Sequence, residues 1–409
     1  MTKEKIMKNA LRISLCLSLC IACVFTAAAC QNNSVESAPV LNGFDTTLPD
    51  LSGLSTDKYF FGYDESVDGD RAAVEAKLAA DGITPTAGEW YPTLIDNFDY
   101  NADYADNMGL DPEIWTSSVH GVRWASQDDK HPEYACYWCP EMVSVSADGH
   151  AVIRSEYIAD HDCEVCNANA AYFGGSGAGR YTGGFETRVE TPLTDDDGNV
   201  LYNESNDRPQ TDYKQDEYLF RQAYGYYETR IRLPRKEGMW SAFWLQSSYQ
   251  RMVGGSGEDG TEIDVYESAF LTGNDDSHRM GHALLWDGYA QGAQVSSLVF
   301  DLGDNDLYDG DFHTFALLWT PEYYVFYVDG KPNWATADGG VAKVREFLRF
   351  TCEIDAGDEW GPHGQKIGAF DHDGGVGLME IDYVRVYQNL NWLDDVKDDV
   401  GEGEYSPQN

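Results

Sequence analysis

The sequence predicts an all-β protein, an antiparallel sandwich or jelly roll that forms one large domain over residues 93–390. After residue 92 the chain carries many short segments rich in β-branched and aromatic residues, separated by Gly, Asp and Pro. These segments have no helical patterns between them, which favours antiparallel pairing over a parallel sheet with crossover helices. Of the 409 residues 42% are hydrophobic and 13% aromatic, which excludes a wholly disordered chain.

The strand-like segments follow one another along this domain. A hairpin is predicted at Asp148–Gly149, because MVSVS and HAVIRS flank a dipeptide typical of tight turns. Only residues 70–81 carry a clear helix signal, with Asp68 or Asp70 as the N-cap and Gly82 as the end. The later predicted strands are YYETRIRLP, SAFWLQS, TEIDVYE, HALLWDG, HTFALLW, YYVFYVDG, VREFLRFTCEID and MEIDYVRVY.

The N-terminal residues 1–29 are predicted to be an export signal. Basic residues precede an apolar run, from Ile13 to Phe25, that is too short to cross a bilayer as a helix. Small residues then lead to Cys30, as in a bacterial lipoprotein cleavage site, although Ala27 stands where Leu is usual. We therefore expect an extracellular protein, either a cell-surface lipoprotein lipidated at Cys30 or a secreted protein.

The remaining segments are predicted from composition. Residues 30–57 are polar and Gly- and Pro-containing, which predicts a flexible tether. The helix lies in a short N-terminal segment, residues 58–92, and residues 391–409 form an acidic tail.

The charge of the chain limits its partners. Lys and Arg number 28 against 70 Asp and Glu, a net charge of −42. A polyanion repels nucleic-acid phosphates and anionic membranes, so nucleic acid is excluded and membrane contact is expected only through Cys30. Sulfated polymers are disfavoured for the same reason, and we expect a monomer.

The segment EIDVYE carries the candidate catalytic residues. On a regular strand Glu262 and Asp264 share one face, while Glu267 points to the other. A β-bulge near Val265 and Tyr266 would bring Glu267 to the same face. Three adjoining carboxylates raise at least one pKa, which places a general acid beside an ionised nucleophile, as in a retaining glycosidase. An exposed acidic strand or a Ca²⁺ site is the alternative interpretation.

Aromatic residues around this segment are candidate sugar platforms, because rings stack on the CH faces of neutral sugars. Trp244 is expected to lie in the core rather than to contact a sugar. His282 is expected to be either a polar group of the cleft or a structural histidine. The candidate substrate-binding residues are Trp240, His282, Trp286 and Trp360.

Four cysteines form two C-x2-C pairs, which the predicted hairpin brings to one end: Cys136, Cys139, Cys163 and Cys166. This spacing predicts either a structural Zn²⁺ site or two disulfides. Export favours disulfides and an anaerobic habitat would favour zinc, so both stay open. A catalytic metal is not expected, since four cysteines leave no free coordination position. Cys352 is predicted to be a buried free thiol.

Taken together, these segments resemble glycoside hydrolase family 16. EIDVYE is similar to the longer, bulged form of the family's acid motif, E-x-D-x(1–2)-E. YGYYETRIRLP, GMWSAFWLQ, DFHTFALLWTPEYYVFYVDGK and MEIDYVRVY resemble other recurrent blocks in the right order, and LIDNFDYN and LDPEIW resemble the opening segment. The resemblance extends over residues 93–390. The chain departs from the family at Phe185, where an Arg is frequent.

The resemblance implies a concanavalin-like jelly roll with a concave cleft that cuts internal β-glycosidic bonds with retention and requires no cofactor. By position, Glu262 would be the nucleophile and Glu267 the acid/base. Asp264 would lie between them and hydrogen-bond the nucleophile. The bulged motif is similar to that of laminarinases, agarases and carrageenases, and the charge argument disfavours carrageenan, which is sulfated.

We therefore expect a retaining endo-β-glycosidase that acts on β-1,3 or mixed β-1,3/1,4 linkages of a neutral glucan. The alternative substrates are galactan or mucin-type host glycans, cut by an endo-β-galactosidase. The alternative classes of protein are a non-catalytic carbohydrate-binding jelly roll and a transglycosylase. The three acids argue against a binding protein, which needs no proton donor opposite a nucleophile.

Overall fold

The structure is a computed structural model. It describes residues 35–62, 67, 69–100, 104–117, 121–123, 136–163, 177–191, 193–195, 201, 216–247, 250, 252–253, 255–268, 277–288, 292–354, 370, 375–397 and 404–405. The predicted export signal, Cys30, Trp360 and Cys166 lie outside these residues.

Strands dominate the described residues. In chain order they are β1 (Val35–Glu36), β2 (Tyr59–Phe60), β3 (Trp90–Asp96), β4 (Thr116–Ser117), β5 (Gly121–Arg123), β6 (Cys136–Trp138), β7 (Val143–Val145), β8 (Ala151–His161), β9 (Gly177–Thr182), β10 (Gly184–Glu186), β11 (Arg188–Val189), β12 (Glu217–Tyr218), β13 (Gly225–Arg232), β14 (Met239–Gln246), β15 (Met252–Val253), β16 (Glu262–Ser268), β17 (Arg279–Trp286), β18 (Gln294–Asp301), β19 (His313–Trp319), β20 (Tyr324–Val328), β21 (Lys331–Thr336), β22 (Phe347–Ile354), β23 (Val376–Asn389) and β24 (Glu404–Tyr405). The α-helix α1 is Arg71–Ala80, and short 3₁₀ helices are Ala105–Asn107, Pro140–Met142, Gly257–Asp259 and Leu390–Asp395.

The strands form two large sheets. An eight-stranded sheet has the order β1-β18-β17-β16-β14-β22-β10-β4. A twelve-stranded sheet has the path β21-β20-β19-β13-β23-β8-β9-β6-β5, with β2, β3 and β7 beside it. Within the described residues the sheets are antiparallel except where β1 pairs with β18 and β6 with β9. The predicted all-β sandwich is confirmed, and every predicted strand from YYETRIRLP onward overlaps one of these strands.

The main core lies between the two large sheets. Its aromatic rings meet across the interface: Tyr266 of β16 lies 4.2 Å from Phe315 of β19, measured between ring centroids. Alternation along each strand sends apolar side chains inward, as with Phe243 and Leu245 of β14, both of which are fully buried. The burial of each such side chain contributes roughly 1.5–3 kcal/mol to folding.

The predicted hairpin at Asp148–Gly149 is confirmed. Val145 of β7 pairs with Ala151 of β8 in antiparallel register. Gly149 has φ +76°, a left-handed conformation that favours glycine, and a Cβ there would lie 3.0 Å from the Asp99 carboxylate.

The helix α1 is capped as predicted and packs on the sandwich. The Asp70 carboxylate accepts hydrogen bonds from the backbone N–H groups of Ala72 and Ala73. On the buried side of the helix, Val74 and Leu78 join a small apolar cluster, whose other buried members are Tyr91, Leu390 and Leu393. The segment of residues 58–92 is therefore attached to the C-terminal end of the domain.

The structure differs from the flexible tether predicted for residues 30–57. Residues 35–57 run along the sandwich: β1 extends the eight-stranded sheet, and Val40 bridges to Trp334. Phe44 stacks on Tyr323 with ring centroids 4.7 Å apart. Polar composition concealed these contacts because they are made by a few apolar residues and by the backbone.

The predicted acidic tail also begins inside the fold. Trp392 meets Trp90 edge-on, with ring centroids 5.1 Å apart, and Leu393 is buried. The backbone N–H of Lys397 donates to the carbonyl of Lys343. In the part of the chain that the structure describes, no helix is long and apolar enough to cross a membrane.

Candidate active site

The strand β16 carries the predicted bulge. Asp264 pairs with Ala283 of β17, and Glu267 pairs with Gly281, so three steps on β16 oppose two on β17. In the register against β14, where Phe243 pairs with Tyr266 and Trp244 with Asp264, the extra residue is Val265. The bulge turns Glu267 to the side that Asp264 occupies, as predicted.

The three acids therefore share one face of the eight-stranded sheet, which we call the carboxylate face. Their partners on β14 are Gln246, Trp244 and Ala242, which alternate along that strand and so share this face. The intervening residues of β16 are in the main core on the opposite face: Ile263, Val265 and Tyr266. The carboxylates are only slightly exposed, at 8% for Glu262, 4% for Asp264 and 8% for Glu267.

Glu262 is held by a polar chain on the carboxylate face. The Gln246 amide Nε2 donates to Glu262 Oε2 over 2.9 Å. The other end of this amide accepts from Arg349 Nη1 over 3.0 Å. Arg349 Nε in turn lies 2.6 Å from the carboxylate of Glu186 on β10. Because Arg349 can only donate, it fixes the amide with its N–H₂ group toward Glu262.

Glu267 has a different partner. The indole Nε1 of Trp240, on β14, donates to Glu267 Oε1 over 3.0 Å. Trp240 is half-buried, so its ring reaches the carboxylate face beside the acid. The two glutamates thus contact different donors, which gives them different surroundings on one strand.

Replacement of Trp240 by Phe keeps the ring and removes the N–H donor. We expect kcat to fall by up to about tenfold, since a typical intramolecular hydrogen bond contributes roughly 0.5–1.5 kcal/mol. Trp244→Phe is the matched comparison, because its Nε1 donates to Thr351 Oγ1 and to none of the three acids. Steady-state kinetics of both variants measure the effect; an equal loss in the two would contradict this role of Trp240.

Asp264 lies between the glutamates, and its pKa is raised. Burial is the largest cause that raises the pKa of Asp264 well above its usual range. The carboxylates of Glu267, Glu262 and Glu346 raise this pKa further. A protonated Asp264 can donate a hydrogen bond, which an ionised carboxylate cannot.

Asp264→Asn is expected to stabilise the protein at neutral pH while it lowers activity. Asp264 is ionised in the unfolded chain above about pH 4 but holds a proton in the fold, so stability falls as pH rises from about 4 through the folded pKa. Asn cannot ionise, so the variant does not lose this stability at neutral pH. Thermal unfolding should show a variant Tm a few degrees above the parent at pH 7.5 and no gain at pH 3.5. A difference in Tm that is independent of pH would contradict the argument.

The structure places the other predicted residues as follows. Trp240 lies on the carboxylate face, but His282 lies on the opposite face, where Nδ1 contacts the Val265 carbonyl at 2.7 Å. His282 is fully buried and packs on Phe326, which corrects its prediction as a substrate-binding residue. A cross-strand register, unknown from the sequence, decides this orientation.

Trp286 also lies on the core side of β17, two residues after Leu284, and its ring packs against Gly339. It is half-buried at the sandwich edge, away from the three acids, so its prediction as a substrate-binding residue is corrected too. Trp244 was expected in the core. It is buried at 6% exposure, but on the carboxylate face, with the Arg349 guanidinium 4.1 Å above its ring.

Sequence reasoning missed Gln246, Arg349 and Glu186. A signal for Arg349 was present, because on β22 the polar residues Arg349, Thr351 and Glu353 alternate with apolar ones. Nothing local could show that Glu186 of β10 faces Arg349, since the two strands are far apart in sequence.

The predicted cysteine contacts are found in part. Cys352 is a buried free thiol, as predicted. Cys139 and Cys163 lie close together, with their Sγ atoms 3.6 Å apart, and no disulfide joins the two. The side chain of Cys136 is outside the described part of the structure, as is Cys166.

The fold and the three-acid strand are of the kind found in jelly-roll glycoside hydrolases. More particularly, the sequence model of the family "Glycosyl hydrolases family 16" matches residues 210–375, which include all three acids. The resemblance to glycoside hydrolase family 16 that the sequence predicted is thereby confirmed.

Curated proteins are similar to part of this chain. A beta-glucanase of Rhodothermus marinus is 28% identical over 176 residues, 41% of this chain and 58% of that protein. A beta-1,3-glucan-binding protein of Penaeus monodon is 26% identical over 282 residues, 62% of this chain and 65% of that protein. The chain thus spans less than two thirds of each of these curated relatives.

Solved structures are similar to this chain at lower sequence identity. A structure described as an endo-acting O-glycanase of the human gut microbiota has a TM-score of 0.50 and 16% identity, and covers 77% of this chain and 97% of its own. The laminarinase catalytic domain of Thermotoga petrophila RKU-1 has a TM-score of 0.48 and 20% identity. The match covers 74% of this chain and 99% of that domain.

Proposed function

We propose that the protein is a retaining endo-β-glycosidase that hydrolyses internal β-1,3 or mixed β-1,3/1,4 linkages of a neutral glucan. The observation that carries the proposal is the bulge in β16, which places Glu262, Asp264 and Glu267 on one face. A bulge that re-aims an acid toward two others has no evident structural benefit, because it brings three carboxylates together. The matches to beta-glucanases support the choice of glucan.

In the proposed reaction Glu262 attacks the anomeric carbon and forms a covalent glycosyl-enzyme. Glu267 gives its proton to the oxygen of the leaving sugar as the glycosidic bond breaks. Glu267 then takes a proton from water, whose oxygen displaces Glu262 with a second inversion, so the product keeps the β configuration. Gln246 holds the attacking carboxylate in place, and Trp240 holds Glu267.

A panel of purified polysaccharides tests the proposal. Laminarin and lichenan should yield oligosaccharides of intermediate size early in the reaction, as an endo-acting enzyme produces. Proton NMR should show β anomers first. Release of products only from galactan or mucin-type glycans would contradict a glucan substrate and identify that other class as the substrate. Initial α anomers would contradict the retaining mechanism.

A non-catalytic binding protein is the second candidate, and one observation favours it: a curated match is a beta-1,3-glucan-binding protein. Glucan binding with no product from any polymer would support it. The polar chain through Gln246 to Glu262 argues for catalysis, because it orients an acid rather than a sugar contact.

We also propose that the protein acts outside the cell, anchored by a lipid at Cys30 or secreted. The basic and apolar start of the sequence supports this. Mass spectrometry of the mature N-terminus, with Cys30→Ser as the comparison, distinguishes the two forms. A lipid-modified Cys30 in the membrane fraction identifies the lipoprotein, and an N-terminus that still includes residue 1 would contradict export.

A further inference from the structure

Two cysteines and a histidine meet where β6 and β8 end. Cys139 follows β6 directly, His161 is the last residue of β8, and Cys163 comes two residues later. The strand β9 pairs with both β6 and β8, so it holds these ends side by side. The carboxylate of Glu141 joins them, and the four possible ligand atoms all lie within 4.8 Å of one another.

The two separations measured from Cys139 fit donors that share one metal ion. Cys139 Sγ lies 3.6 Å from Cys163 Sγ and 3.5 Å from His161 Nε2. Tetrahedral zinc, with ordinary Zn–S and Zn–N lengths, places two sulfurs about 3.8 Å apart and a sulfur and a nitrogen about 3.6 Å apart. A disulfide would need the sulfurs about 2.0 Å apart. The spacing therefore matches shared coordination better than a covalent bond.

The surroundings also suit a metal held by thiolates. Cys139, Cys163 and His161 are 1%, 0% and 6% exposed, whereas Glu141 faces solvent. The ring of Tyr181 lies 3.9 Å from that of His161 and belongs, with both cysteines, to a small apolar cluster separate from the main core. Buried thiols and an imidazole bind borderline-soft cations such as Zn²⁺.

We propose that Cys139, Glu141, His161 and Cys163 form a structural zinc site. Four protein donors complete a tetrahedral set, so no position is left for a reacting water. The sequence predicted zinc or disulfides among four cysteines; the structure assigns His161 and Glu141 as ligands in addition to one cysteine of each pair. None of the four residues belongs to the eight-stranded sheet, so the proposal is independent of the glycosidase mechanism.

A metal ion at this site would stabilise the contact between the edge of the twelve-stranded sheet and the eight-stranded sheet. The Cys139 backbone N–H donates to the carbonyl of Thr182, whose Oγ1 donates to the Cys352 carbonyl of β22 over 3.0 Å. The Trp138 indole, next to Cys139, donates to the same Cys352 carbonyl over 3.0 Å. Metal bound at Cys139 thus stabilises hydrogen bonds that reach the sheet of the carboxylate face.

Metal analysis of the full chain tests the site. Protein expressed with zinc supplied should contain about one zinc ion per chain by inductively coupled plasma mass spectrometry. His161→Gln and Cys163→Ser should each lose most of it, while Cys352→Ser, which changes a buried thiol outside the cluster, should keep it. Cobalt substitution should give thiolate-to-metal charge-transfer absorption in the parent and a changed spectrum in His161→Gln.

Two results would overturn the proposal. One is a Cys139–Cys163 disulfide in the unreduced protein with no bound metal; the other is unchanged zinc in His161→Gln. If the variants do not fold, the parent protein decides: a chelator should lower its Tm by several degrees and added zinc should restore it. A Tm that does not respond to removal of the metal would contradict a structural role. None of these measurements depends on catalytic activity.

Discussion

Glu262→Ala is expected to lower kcat by about 10⁴-fold or more, because it removes the proposed nucleophile and no other carboxylate can replace it in line with the bond. Glu267→Gln, which removes the proton donor and keeps the shape, should cost about 10²–10⁴-fold. Both side chains lie on the carboxylate face and are largely buried. Rates on laminarin or lichenan, with polymer binding measured separately, check both values.

Azide separates the two roles with an activated aryl β-glycoside. In Glu262→Ala azide should attack the anomeric carbon from the side that Glu262 normally occupies. This single inversion gives an α-glycosyl azide. In Glu267→Gln azide should attack the glycosyl-enzyme and give the β product. The same anomer from both variants would exclude the proposed assignment, and full activity in either would exclude that residue from the chemistry.

Arg349→Met is expected to lower the free energy of unfolding by about 3 kcal/mol, because it leaves the buried carboxylate of Glu186 without one of its cations. Glu186 keeps a contact with Arg188, 3.3 Å away, which keeps the loss at the lower end of the range for buried pairs. Activity should fall as well, since the Gln246 amide loses the partner that orients it. Urea unfolding and kinetics measure the two effects.

An exposed ion pair provides the control. Arg154 of β8 pairs with Glu156 on the surface, and Arg154→Met should cost less than about 1 kcal/mol. A double-mutant cycle with Glu186→Gln should show strong coupling to Arg349→Met. If Arg349→Met costs no more than Arg154→Met, the interpretation of Arg349 as a buried support of the site is wrong.

Much of the fold was predictable because its signals are local. Enrichment in β-branched and aromatic residues located β13, β14 and β16, and the alternation of side chains along a strand required a bulge if Glu267 was to join Glu262. The helix cap at Asp70 was likewise a local signal. The sequence analysis did not predict strands β18 and β21, although both lie within the predicted domain of residues 93–390. Residues 35–57 were wrongly predicted to be a tether, since their contacts are long-range.

The sequence by itself determined the all-β class, the three acids and the position of the bulge, since these depend on residue type and on a period of two along one strand. Only the tertiary structure decided that His282 faces the core, that Arg349 supports Glu262 through Gln246, and that His161 meets Cys139. The physical reason is that each of these contacts joins different strands. The register and order of those strands are set by packing of the whole core, which no single segment encodes.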